Sequence, residues 1–115
     1  MKAIFVGSGA FGIPTLEWLV SNSNCDCVIT GEDKPAGRNR KIQPTPIGAL
    51  AMEHGLHVLK TKNINSGSML EQLVELQFDV MVVIAFGQKL SETLLHQYQA
   101  INLHASLLPR WRGQK

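Results

Sequence analysis

Asn102 and His104 are the pair best suited to chemistry in this chain. They stand two apart in the short apolar run Ala100-Ile101-Asn102-Leu103-His104. On a strand, that spacing turns both side chains to one face. An amide beside an imidazole can serve acyl transfer. The amide holds a developing oxyanion, and the imidazole moves a proton near neutral pH. The plainer reading is that both groups satisfy backbone at a strand end.

Two further groups could bind a ligand. Gly7-Ser8-Gly9-Ala10-Phe11-Gly12 is a G-x-G-x-x-G that follows a strand-like run. Its glycines permit a tight turn and close approach of a phosphate to a helix N-terminus. Glu32-Asp33 follows about 20 residues on, where a ribose-binding carboxylate would fall. The competing reading is a structural turn from strand to helix. The second group is Lys34-Pro35-Ala36-Gly37-Arg38-Asn39-Arg40-Lys41, with four cations in eight positions. Such a loop can follow a phosphate backbone, or it can be an ordinary solvated loop.

These groups need a frame. Ala3 to Val6 reads as a buried strand, and Ile13 to Val20 as a helix with Pro14 in its first turn. Leu16, Leu19 and Val20 supply its apolar face, with Trp18 a packing residue. Cys25 to Thr30 reads as a strand and Gly31 to Gln43 as a polar loop. Ile47 to His54 is a helix closed by Gly55, and His57 to Leu59 a short strand. Ser68 to Leu76 is a helix with Met69, Leu70, Leu73, Val74 and Leu76 at helical spacing. Phe78 to Phe86 contains the most hydrophobic strand, Val80 to Ala85, and Gly87 ends it. Ser91 caps a helix through His96, and Ala100 to His104 is the last strand.

This alternation predicts an α/β fold: a Rossmann-like parallel sheet with helices on both faces. Ligands of such sheets sit at the carboxyl ends of the strands. Those ends are Gly7, Thr30, Phe86-Gly87 and His104.

Composition narrows the class. The 115 residues suit one small domain, 44% hydrophobic and 17% charged, with a net charge of +2 that does not by itself argue for nucleic acid. The spacing of Cys25 and Cys27 suits neither a disulfide nor a zinc site, so small core residues in a reducing compartment are expected. His54, His57 and His96 have no metal-ligand spacing, and no metal is expected. The first apolar run is too short for a signal peptide, and no stretch reaches a membrane span. A cytoplasmic location is expected, away from membranes.

Asn102 to Gly113, NLHASLLPRWRG, closely resembles the signature of the folate-dependent formyltransferases. The N-x-H followed by S-L-L-P is shared across that superfamily, and R-W-R-G is most like its methionyl-tRNA formyltransferase branch. DKPAGRNRK, residues 33–41, is similar to that branch's basic insertion, and Val82 to Gly87 resembles the strand and turn lining its pterin pocket. Ser8-Gly9 stands where the family commonly has Thr-Pro.

The resemblance implies a transferase that carries a formyl group from 10-formyltetrahydrofolate to the α-amine of initiator methionyl-tRNA, in translation initiation. It implies Asn102 and His104 as catalytic residues, with Asn102 on the oxyanion. Ser106, Leu107, Leu108 and Pro109 would wall the folate, and Phe86 and Gly87 would receive the pterin. Lys34, Arg38, Arg40 and Lys41 would contact tRNA. It makes the glycine turn structural, with an NAD(P)-binding domain as the alternative and other amine acceptors as a variant. It also implies that residues 1–115 are the amino-terminal portion of the catalytic domain, without the carboxy-terminal tRNA-binding domain. The family's catalytic aspartate would fall past Lys115, so these residues alone are expected to be inactive or severely impaired. An exposed sheet edge is expected to invite self-association.

Overall fold

A computed structural model describes residues 2–36 and 40–103. Five parallel strands form the main sheet: β1 (Ala3–Val6), β2 (Cys27–Thr30), β5 (His57–Lys60), β6 (Val80–Ile84) and β7 (Ala100–Leu103). Their order is β5-β2-β1-β6-β7, so β1 is central. The chain winds outward from β1 in one direction and then, from β6, in the other.

Alternation along the strands divides the core. Phe5, Val28, Val82 and Ile84 pack with Leu16 and Leu19 of α1 (Ile13–Asn22) and with Ile47 and Ala51 of α2 (Pro46–Glu53). Ile4, Val6, Ile29, Met81 and Val83 pack with Met69 and Leu73 of α3 (Gly67–Glu75) and Leu94 of α4 (Glu92–Gln97). Both faces of the sheet are covered, which is why its strands read as continuous apolar runs. Thr45, Ser66 and Ser91 cap α2, α3 and α4 through side-chain oxygens that accept backbone N–H groups.

Several expectations are corrected. The segment 31–43 is more than a loop: β3 (Lys34–Ala36) and β4 (Lys41–Gln43) form an antiparallel hairpin. It has no apolar face to reveal it, since Lys34, Pro35 and all of β4 are exposed. Cys25 is buried but precedes β2, while Asn24 makes an isolated bridge to Lys2. Trp18 is 60% exposed, because Leu16 and Leu19 carry the buried face of α1. Val74 is 68% exposed, because Met69 and Leu73 carry that of α3. Strand β6 stops at Ile84, and Ala85 turns away with φ 51°.

Both cysteines are free. Burial pushes the two thiols up, Cys27 to about 11, with the Asp26 carboxylate adding to the effect. Among the described residues, no helix is long and apolar enough to cross a membrane.

Candidate active site

The carboxyl ends of the strands meet around a cleft of about 530 Å³. Its walls are Ser8 after β1, Gly31 to Lys34 after β2, Thr61 and Lys62 after β5, and Phe86 to Gln88 after β6. The volume is within the range of small-molecule sites. Thr45, just before α2, also lines the cleft.

The glycine turn is held by packing. The Ser8 and Gly9 amides both donate to the Ala85 carbonyl, at 3.1 and 3.0 Å. A Cβ at Gly7 would lie 2.5 Å from the Ile84 carbonyl oxygen and 2.7 Å from the Phe5 ring. A Cβ at Gly12 would lie 2.9 Å from both Phe5 and Ile84 side-chain atoms. These glycines let the turn after β1 lie against β6. Two amides that a pyrophosphate would need are engaged by Ala85. Glu32 lines the cleft, and Asp33 pairs with Lys60 at 2.7 Å.

Phe86 and Gly87 line the cleft wall. Gly87 has φ 84°, and a Cβ there would meet nothing within 4 Å. Its backbone therefore borders open space. The turn is anchored by Gln88, which the sequence reading missed. The Gln88 side-chain amide donates to the Thr61 carbonyl at 3.1 Å and accepts from the Ile64 amide at 2.8 Å. Beside it, Asn65 donates to the Lys89 carbonyl at 2.9 Å and accepts from the Ser91 amide at 2.8 Å. Two side-chain amides thus clasp the loop after β5 to the loop after β6. Asn65 follows an Asn-rich turn signal, but nothing in the sequence pairs it with residues 24 to 26 positions on.

Asn102 lies on β7 opposite Val83, and Leu103 opposite Ile84, so β7 ends level with β6. Asn102 is exposed and lines a second recess of about 160 Å³ with Gln88, Leu90 and Leu95. Gln88 therefore walls both the cleft and the recess that holds Asn102.

Of the basic positions, Lys34 lines the cleft. Pairing of Lys34 with Gln43 and Ala36 with Lys41 places Lys34 and Lys41 on one face of the hairpin. Arg40 turns the hairpin with φ 53°. His104, Ser106, Leu107, Leu108, Pro109 and Arg38 lie outside the described residues. Among the described residues, no three His, Cys, Asp or Glu side chains gather to hold a metal.

Comparison with known proteins agrees with this architecture. A family model described as formyl transferase matches residues 1–115. A methionyl-tRNA formyltransferase of Methylococcus capsulatus is 43% identical over 116 residues, covering 98% of this chain and 38% of that protein. Those of Listeria innocua and Halothermothrix orenii are 43% and 44% identical, covering 97% and 98% of this chain and 36% and 37% of theirs. The chain thus spans under two fifths of the length of the curated relatives it matches.

Proposed function

The chain belongs to the formyl transferase family, and from that premise we propose that it forms part of an enzyme that formylates the α-amine of initiator methionyl-tRNA. The formyl donor is 10-formyltetrahydrofolate, which supplies the formyl carbon at the cleft. The cleft suits such a group by its volume and by the open backbone at Gly87.

Each residue then has a task. The Asn102 side-chain amide donates to the formyl oxygen as negative charge develops on it. A donor so placed lowers the barrier by roughly 3 kcal/mol. His104 accepts the proton that the attacking amine gives up as its nitrogen bonds to the formyl carbon, and a proton passes to the donor's N10 as the formyl carbon–N10 bond breaks and tetrahydrofolate leaves. The Phe86–Gly87 turn seats the pterin, and Ser106 to Pro109 wall it. Lys34, Arg38, Arg40 and Lys41 contact phosphates of the tRNA.

One relation carries the reading. Gln88 borders both the cleft and the recess of Asn102, so donor and catalytic amide would meet across a single residue. Calorimetric titration with 5-formyltetrahydrofolate and with NADPH is the first test. Saturable folate binding without NADPH binding is expected. NADPH binding alone would overturn the reading and return the glycine turn to a dinucleotide.

A further inference from the structure

Three hydroxyls are linked at the cleft, two in its wall and one buried behind them. Thr30, the last residue of β2, is fully buried. Its Oγ1 is hydrogen-bonded to Thr45 Oγ1 on one side and lies 3.4 Å from Ser8 Oγ on the other. Ser8 and Thr45 are half-buried and open on the cleft. Ser8 Oγ also accepts the Gly31 amide at 3.0 Å, and Thr45 Oγ1 accepts the Gly48 amide at 2.9 Å.

Each hydroxyl has one hydrogen and two lone pairs. The two links use two of the three hydrogens. Thr30 is buried, so an idle hydrogen there would be costly. It donates to Ser8 Oγ and therefore accepts from Thr45 Oγ1. Ser8 then has both lone pairs filled and a free hydrogen, while Thr45 keeps a free lone pair. The cleft thus meets one donor, at Ser8, and one acceptor, at Thr45.

An ionised phosphate or carboxylate only accepts, so it leaves the acceptor end unmatched. An alcohol both gives and takes. A ribose hydroxyl does so, and so does the edge of a pterin ring, so the position of the hydroxyls decides between them. The location agrees: Thr45 stands two residues after β4, and Lys34 of β3 lines the same cleft, so the chain sits at the root of the basic hairpin. We infer that Ser8, Thr30 and Thr45 bind the ribose hydroxyl that the methionyl ester leaves free on the terminal nucleotide of the acceptor RNA. This rests on the tRNA reading above.

The test is equilibrium binding, by the intact protein, of an acceptor-stem RNA ending in CCA. The comparison is the same RNA with a 2′,3′-dideoxy terminal nucleotide. Wild-type protein should favour the ribose end about tenfold, on the order of one to two hydrogen bonds. Thr30→Val keeps the shape and removes the hydroxyl. It should bind both RNAs equally, at the weaker level. Thr30→Ser keeps the hydroxyl and should keep the preference. Affinity for 5-formyltetrahydrofolate should be unchanged in both variants, which also reports folding; its loss in a folded Thr30→Val would assign the hydroxyls to the folate and overturn the inference. A wild type without preference, or a Thr30→Val that retains it, overturns the inference. If wild-type protein binds folate but neither RNA, the tRNA reading falls and this inference falls with it.

Discussion

The carbonyl oxygen of Ala85, just past β6, accepts the amide of Ser8, just past β1, at 3.1 Å. That contact joins the two strands at which the sheet reverses its winding. It exists because Gly7 and Gly12 let the turn after β1 lie against Ile84 and Phe5.

Three glycines should therefore respond differently to alanine. Gly7→Ala drives a Cβ into a backbone oxygen and a buried ring, and should destabilise by on the order of 3 kcal/mol. Gly87→Ala meets no atom but holds φ 84°, and should cost about 1 kcal/mol. Gly67→Ala, at the start of α3 with open space around it, should stabilise by about 0.5 kcal/mol. Urea unfolding midpoints give the order.

Gln88→Ala removes the anchor of the Phe86–Gly87 turn and leaves the Thr61 carbonyl and the Ile64 amide without their partner. A loss of about 1–3 kcal/mol in stability is expected. Reduced-folate affinity should fall with it, since the turn lines the cleft. Unchanged folate affinity in a folded Gln88→Ala would separate the clasp from the ligand.

Asn102→Ala should leave stability within about 0.5 kcal/mol of wild type, because the side chain is exposed. Formyl transfer by the whole enzyme should drop by roughly 100- to 1,000-fold in kcat, with little change in folate affinity. Single-turnover rates alongside folate titrations distinguish this from a binding defect.

Reversing Arg40 and Lys41 to Glu should weaken tRNA binding while sparing folate. Each lost cation should lower the slope of log affinity against log salt by roughly 1. An unaltered slope would remove the hairpin from the RNA interface.

Cys27 provides a pH test. Its folded thiol titrates at about 11, above an ordinary value of 9.0. The folded state therefore holds this proton more tightly than the unfolded chain. The stability it contributes is complete below pH 9 and declines between pH 9 and 11. Cys27→Ser or Cys27→Ala should flatten the alkaline part of the stability profile. Thiol labelling of native protein at pH 8 should be slow at both Cys25 and Cys27, and fast once the chain unfolds.

Much was legible in order along the chain. Val80 to Ile84 and Ala3 to Val6 announce doubly covered strands, because residues buried on both faces must all be apolar. Ser91 marks the start of α4 by local hydrogen bonding, which needs no distant partner. Asn102 to Gly113 resembles the formyltransferase signature by its run of residue types alone, and the family's model matches residues 1–115.

What the sequence by itself determined, then, is whatever rests on neighbours a few residues apart: the strands, the caps, the motif. The hairpin of β3 and β4 was not of that kind, since an exposed polar ribbon carries no hydrophobic period. Nor was the role of Gly7, whose need for hydrogen in place of Cβ is set by Ile84, 77 positions on. Gln88 and the hydroxyls of Ser8, Thr30 and Thr45 became partners only when separate loops met at one sheet edge. Such groups act through distance and direction in space, and those follow from the packing of helices on both faces of the sheet.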